Sequence, residues 1–322
     1  MTGLVQPIFV VGCPRSGTTL IQCILSASSR AFSLPETHFF SGVLPAVGAN
    51  VSTLLGPERV AAVRRAMDAE AELVLPDAFW ADLRRRLPLT AGELFVEVVE
   101  YFRPLPEVRA IEKTPRHVLA LESIAAAFPD AVFVNVVRDP IDVASSLLGV
   151  PFESSRSVLS YAQRWTESIQ AARAFSRVAP ARIKTVLYEQ LVHAAELHVR
   201  ELSAFVDLPY EAAMLEEFGR EAARNVGRGE AWKRDVSKGV IVDRQGVWRT
   251  RMTPGQAWLV AQATRTLRRE YGYRDRPGAS VASITAALAR EAQVRFREAR
   301  ASTGVVGAAR HAGSVLKTLS TA

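Results

Sequence analysis

Residues able to do chemistry cluster first at Gly12-Cys13-Pro14-Arg15-Ser16-Gly17-Thr18-Thr19, where two glycines bracket a guanidinium and a hydroxyl and two more hydroxyls follow. Glycine has no Cβ, so Gly12 and Gly17 let backbone amides approach a ligand closely. Between a strand and a helix start, such a loop aims N–H groups and the positive end of the helix dipole at one point, which suits a phosphate or sulfate. A second cluster, Arg138-Asp139-Pro140 followed by Asp142, Ser145 and Ser146, also joins an apolar run to a helical pattern. Arg138 offers a planar fork for a phosphate, and a serine beside it one more hydrogen bond. Asp139 fits equally as the N-cap of a helix whose first residue is Pro140.

These side chains need elements to hold them. Residues 8–11 and 132–137 are short, β-branched runs, apolar on both faces and stopped by Gly or by Arg-Asp-Pro, as buried parallel strands are. Residues 183–188 make a third candidate. Helical periodicity covers 18–28, 59–73, 115–128, 140–148 and 158–179. Strands alternating with helices predict an α/β fold with a mostly parallel sheet flanked by helices, and open sheets of this kind bind ligands at the carboxyl edge of their strands. Residues 42–106 carry helical periodicity, several prolines and no strand pattern, and are expected to form a helical insertion on the acceptor side of the cleft within a domain spanning 1–275. Residues 276–322 form a C-terminal extension, with a helix over 280–300 and a basic tail from Gly304. That extension either packs on the domain or offers an amphipathic contact to a second subunit, a carrier protein or a membrane surface.

The chain has 322 residues, 48% hydrophobic and 23% charged, enough for one large core. Its 40 Lys and Arg against 33 Asp and Glu leave a net +7, which favours anionic ligands without naming one. Arg84-Arg85-Arg86 reads as a solvated helix face; no zinc-finger, helix-turn-helix or RNA-binding signature accompanies it, so no nucleic-acid partner is expected. Cys13 and Cys23 are too few for a disulfide framework or a four-ligand metal site. The sequence opens without a charged leader and apolar run, and no stretch reaches the roughly 20 apolar residues of a membrane span. The expectation is a cytoplasmic protein without a transmembrane segment.

The first loop keeps the outer spacing of the nucleoside-triphosphatase P-loop, but Thr18 stands where that motif carries lysine, and the cation has moved inside the loop as Arg15. A kinase or ATPase uses the lysine on its β- and γ-phosphates, with Mg²⁺ on the neighbouring hydroxyl. A P-loop nucleotide-dependent phosphotransferase therefore stands as the alternative reading.

Taken together, the two segments resemble the sulfotransferases that use 3′-phosphoadenosine 5′-phosphosulfate (PAPS), in the branch similar to tyrosylprotein sulfotransferases and many bacterial enzymes. That branch has Pro-Arg-Ser-Gly-Thr-Thr after its first strand, matched by residues 14–19. The resemblance covers roughly residues 5–275 and implies a P-loop-type sheet. It implies Arg15, Ser16, Gly17, Thr18 and Thr19 around the 5′-phosphosulfate, with Arg138 and, eight residues on, Ser146 at the 3′-phosphate. Tyr188, in Val186-Leu187-Tyr188-Glu189-Gln190-Leu191, falls either near the adenine or in the core. Pro35-Glu36-Thr37-His38 matches the family's catalytic glutamate, and Glu112-Lys113-Thr114-Pro115 its lysine beside the transferring sulfuryl group. Hormone- and phenol-type members place a catalytic histidine two residues after that lysine, where Pro115 stands here, so the base falls to Glu36, with His38 and His117 as competitors. Ser237-Lys238-Gly239 or the Arg244-Gln245-Gly246-Val247-Trp248-Arg249 run would close over the 3′-phosphate. The implied reaction moves a sulfuryl group from PAPS to a hydroxyl of a small-molecule, sugar or lipid acceptor and releases adenosine 3′,5′-bisphosphate without a metal. Phe39, Phe40, Phe79 and Trp80 read either as an acceptor pocket or as core. A module that binds the nucleotide but turns nothing over is the remaining rival.

Overall fold

The computed structural model describes residues 6–70, 73–150, 153, 155–220 and 244–303. Its strands are Ile8–Gly12 (β1), Ala31–Ser33 (β2), Leu54–Leu55 (β3), Leu89–Thr90 (β4), Arg109–Glu112 (β5), Val132–Val137 (β6) and Ile183–Leu187 (β7). Five of them make an all-parallel sheet in the order β2-β5-β1-β6-β7, and β3 pairs antiparallel with β4. With helices between its strands, this is an α/β fold.

The chain divides into two compact units, Met1–Val137 with Ala171–Asp243, and Arg138–Gln170 with Arg244–Ala322. The sheet lies in the first. Its centre, β1, is buried along its whole length because both faces are covered. Phe9 and Val11 enter one core layer, with Phe40, Phe95, Phe128 and Phe133, while Ile8 and Val10 enter the other, with Ile21, Ile24 and Leu202. The period-two alternation of a strand sorts them. Phe39, Phe40, Phe79 and Trp80 are all core residues. Gly12, at φ 143°, stands opposite Val136 of β6, and a Cβ there would run into the Val136 carbonyl. The end of β1 therefore has to be glycine.

Two strands of the sheet, β2 and β5, were not evident from apolar patterning. β5 reads Arg-Ala-Ile-Glu, yet all four residues are buried because its two charges are satisfied internally. The Arg109 guanidinium donates to the carbonyls of Gln6 (Nε 3.0 Å, Nη2 2.6 Å) and Val206, and burial presses its pKa below the ordinary value. The helix expected over 59–73 is Pro57–Glu70, and that over 115–128 starts as a 3₁₀ turn, Pro115–Ala120, before the α-helix Leu121–Ala127. Residues 42–106 hold the helices Pro57–Glu70, Asp77–Arg85 and Ala91–Phe102 together with the β3–β4 pair.

The second unit contains Pro140–Leu148, the start of Val158–Val178, Pro254–Ala263, Arg265–Glu270 and the C-terminal helix Val281–Thr303. The last is tied down by Glu291, whose buried carboxylate accepts from Ser157 Oγ at 2.5 Å and Val158 N at 2.8 Å, satisfying amides that a helix start leaves without partners. The tail 304–322 and Ser237-Lys238-Gly239 lie outside the described residues. Among the described residues no helix is long and apolar enough to cross a membrane.

Candidate active site

Three adjacent strands of the first unit each deliver a candidate residue just past their carboxyl ends. β1 runs into the loop 13–17, β5 is followed directly by Lys113, and β2 leads within three residues to Glu36. β7, at the sheet's far side, is followed by Tyr188.

The loop is built to expose amides. Arg15 adopts a left-handed backbone, φ 73°, uncommon for a residue with a Cβ, and the Ser16 N–H turns back to the Cys13 carbonyl at 3.2 Å. Gly17, at φ 101° and ψ 15°, starts the helix Thr18–Ser26, whose N-terminus has no side-chain cap and no acid in its first turn. A Cβ on Gly17 would sit 2.6 Å from Cδ2 of Tyr188, so the tyrosine ring lies against the loop's backbone. Ser16 is fully buried, and its Oγ has no hydrogen-bond partner among the described residues. An uncapped helix start, a hydroxyl in want of a partner and a cradle that a methyl group would fill all fit a phosphate or phosphosulfate group.

Glu36 and Lys113 are brought together: Lys113 Nζ is bonded to Glu36 Oε1, with the lysine buried and the carboxylate largely so. Glu36 Oε2 lies 3.6 Å from His38 Nε2, which is also 4.0 Å from Glu70 Oε2. What holds the pair is Glu112, a residue the sequence reading passed over. Its buried carboxylate accepts from Thr37 N and Oγ1 (3.3 and 2.8 Å), from Thr114 N and Oγ1 (3.2 and 2.7 Å), and from His117 Nδ1 (2.9 Å). The Thr114 hydroxyl accepts from His38 N at 3.1 Å. One carboxylate thus clamps residues 37–38 to residues 112–117, and Glu36 and Lys113 are the neighbours on the two clamped segments. Burial alone would push Glu112 up; the His117 imidazole and the hydroxyls of Thr114 and Thr37 outweigh it and hold the carboxyl below its usual range.

His117 belongs to this clamp. It is fully buried, and its Nε2 accepts the Phe40 N–H at 3.1 Å, which leaves the proton on Nδ1 for Glu112. Both ring nitrogens are committed, so His117 has no lone pair to offer a substrate. His38 keeps partial exposure, and its ring reaches only the carboxylates of Glu36 and Glu70 among the described ion-pair partners.

Arg138 and Ser146 belong to the second unit. The Arg138 guanidinium is buried and donates to the Arg244 carbonyl at 2.6 Å, while its own carbonyl accepts from Trp165 Nε1 at 2.9 Å. Asp139 is the N-cap of Pro140–Leu148, accepting from Ile141 N at 2.8 Å, and its other oxygen takes Arg268 Nη2 at 2.9 Å. Asp142 accepts from the backbone N–H groups of Gly246 (2.7 Å) and Trp248 (3.1 Å), so the 244–249 run is pinned to the same helix. Burial pushes Asp142 up despite Arg138 and those two N–H groups. On the next turn Ser145 Oγ is buried with no partner among the described residues, beside the half-buried Ser146. The sequence places Asp142 and Ser145 in the cluster that follows Arg138, but assigns neither of them a contact with the ligand.

A family model described as "Sulfotransferase family" matches residues 7–212. Nodulation protein NoeE of Sinorhizobium fredii is 26% identical over 271 residues, 76% of this chain and 60% of that protein. Protein-tyrosine sulfotransferase 1 of Danio rerio is 27% identical over 251 residues, 75% of this chain and 65% of its own. An uncharacterised Aquifex aeolicus protein is 27% identical over 220 residues, 66% of this chain but 27% of its length, so the chain spans under two thirds of each of these relatives. Among solved structures, the sulfotransferase domain of a Synechococcus olefin synthase superposes with a TM-score of 0.60 at 19% identity, covering 85% of this chain and 97% of that one. The sulfotransferase domain from the curacin biosynthetic pathway gives 0.56 at 22%, covering 84% and 99%. These likenesses speak for the fold, and with the family match over residues 7–212 the chain belongs to the sulfotransferase family.

Proposed function

We propose that the chain transfers a sulfuryl group from PAPS to a hydroxyl of a small-molecule, sugar or lipid acceptor, with Glu36 as general base. The observation that carries this reading is the bonded Glu36–Lys113 pair on the sheet edge that also bears the uncapped loop 13–17. PAPS supplies the sulfuryl group on an activated phosphate leaving group, so the reaction calls for no metal. Arg15, Ser16, Thr18, Thr19 and the amide of Gly17 would hold its 5′-phosphosulfate, Arg138 and Ser146 its 3′-phosphate, and Tyr188 its adenine end.

Glu36 takes the proton of the acceptor hydroxyl as the oxygen bonds to sulfur and the bond from sulfur to the phosphate oxygen breaks. Negative charge grows on the sulfuryl and leaving phosphate oxygens, where Lys113, Arg15 and the loop amides stabilise it. In the resting protein Lys113 is held by Glu36. Drawing the ammonium toward the sulfuryl oxygens leaves the carboxylate the stronger base, which couples donor binding to acceptor activation. Residues 42–106 are assigned to acceptor choice.

The test is incubation with sulfur-labelled PAPS and a metabolite extract, read by mass spectrometry for added sulfate, beside titrations with adenosine 3′,5′-bisphosphate and with ATP. Label transfer, and metal-independent binding of the bisphosphate, are expected. Binding of ATP only with Mg²⁺, and none of the bisphosphate, would establish the phosphotransferase instead.

A further inference from the structure

Four arginines of the second unit, Arg265, Arg269, Arg274 and Arg276, line a cavity of about 280 Å³. Arg268, Trp258 and Tyr273 are also among its lining residues, with Asp275 and a few smaller neighbours. All of them come from one local stretch, the helices Pro254–Ala263 and Arg265–Glu270 and the turn after them. Among the described residues none of the four has a carboxylate within ion-pair distance, whereas their neighbours do. Asp275 in the lining is taken by Arg249 at 2.5 Å. Arg268 is taken by Asp139 at 2.9 Å and the Asp275 carbonyl at 2.6 Å, and its buried Nε has no partner among the described residues.

Gathering like charges is unfavourable unless something offsets it. The crowding is felt: Arg269 is pressed below its ordinary pKa first by Arg265, then by loss of water, then by Arg276 and Arg268. A bound anion would relieve this, and guanidinium forks match the paired oxygens of a phosphate. Trp258 and Tyr273 add aromatic faces, the surface on which a planar group stacks. The size sits at the small end of ligand pockets.

We propose that this cavity is a second anion site, separate from the loop 13–17, that takes a small phosphate ester with a planar body, of the class of a nucleoside monophosphate. The proposal does not rest on the sulfuryl-transfer reading. The probes are labelled adenosine 5′-monophosphate and inorganic pyrophosphate, in equilibrium dialysis against the full chain. The exposed positions allow a triple variant, Arg265→Gln with Arg269→Gln and Arg276→Gln, which should lose affinity for both probes about tenfold or more through the missing charge-assisted bonds. Relieved of repulsion, it should melt at or above the wild-type temperature when no anion is present. Arg15→Gln should leave a monophosphate site of wild-type affinity, and Trp258→Leu should weaken the monophosphate several-fold while pyrophosphate stays within about twofold, since only the nucleotide has a ring to stack. No monophosphate binding by the wild type, a triple variant that binds as many monophosphates per chain as the wild type with the same affinities, binding abolished by Arg15→Gln, or a triple variant that melts clearly lower would each overturn the proposal.

Discussion

Glu112→Gln alters one atom of the clamp behind the proposed catalytic pair, and its cost can be worked from the donors. Oε1 accepts three hydrogen bonds, from Thr37 N, Thr37 Oγ1 and Thr114 Oγ1; Oε2 accepts two, from Thr114 N and His117 Nδ1. A glutamine offers one acceptor oxygen and an NH₂ that only donates. With the amide oxygen in the place of Oε1, the NH₂ faces the Thr114 and His117 N–H groups; in the other orientation it faces the Thr37 N–H and two hydroxyls that must turn to accept from it, so that their own protons lose the acceptor. Switching the His117 tautomer does not help, because Nε2 would then face the Phe40 N–H donor to donor. At least two buried donors lose their acceptor, at about 1–3 kcal/mol each, so the variant should be about 2–6 kcal/mol less stable at neutral pH. That is a large part of the roughly 5–15 kcal/mol that holds a typical domain. Urea unfolding at a series of pH values is the assay. The fold holds the Glu112 carboxyl below its unfolded pKa, so it prefers the deprotonated form. The wild type keeps this contribution above the ordinary value of 4.5 and loses it as the pH falls below that toward the folded value. The gap between the two proteins should therefore shrink on acidification. Equal midpoints at neutral pH, or a gap that widens toward acid, would show that Glu112 does not hold these segments together.

Gly17→Ala puts a methyl group 2.6 Å from the Tyr188 ring on a backbone at φ 101°; it should cost about 1–3 kcal/mol in thermal unfolding and abolish binding of adenosine 3′,5′-bisphosphate. Ser16→Ala removes a buried hydroxyl with no partner among the described residues, so the ligand-free melting temperature should hold or rise while affinity for that nucleotide falls about tenfold, as calorimetry would show. Glu36→Gln should lower single-turnover sulfuryl transfer by about 10²–10⁴ with nucleotide binding kept, whereas His117→Phe should act chiefly on stability; the reverse pattern would move the base to the imidazole. Turnover in excess chelator should equal turnover without it, since the leaving group is activated already.

The sequence displayed β1, β6, the loop between β1 and the first helix, and Arg138 because each apolar run stops abruptly at a residue that cannot continue it. β5 stayed hidden for the opposite reason. Its ends are charged, and only the tertiary partners of Arg109 and Glu112, which come from residues 6, 37, 117 and 206, make those charges tolerable inside. The same distance in sequence conceals the site's supports. Nothing near Gly17 announces Tyr188, and nothing near Asp142 announces the amides of Gly246 and Trp248. Spacing along the chain finds a residue that acts on a ligand through its own segment; it does not find one that acts by holding another segment in place.

That distinction separates the acids of this protein. Glu112, Asp142 and Glu291 are each buried, and each accepts backbone N–H groups from a turn or a helix start. A carboxylate filled by several fixed donors gives up its lone pairs to structure, because taking a substrate's proton would break those bonds. Glu36 has among its partners two ends of rotatable side chains that can move aside as charge develops: the ammonium of Lys113 on one oxygen and, near the other, the partly exposed His38 ring. Of the two glutamates flanking Lys113 in space, the one anchored to backbone amides is the poorer base and the better scaffold. Removing the movable cation tests its part: in Lys113→Met, Glu36 is left beside an apolar side chain, and sulfuryl transfer should fall by about 10²–10³ even though the base itself is intact. Wild-type single-turnover rates in that variant would mean that the ion pair serves only to join the segments after β2 and β5, and that Lys113 does not stabilise the charge of the transfer.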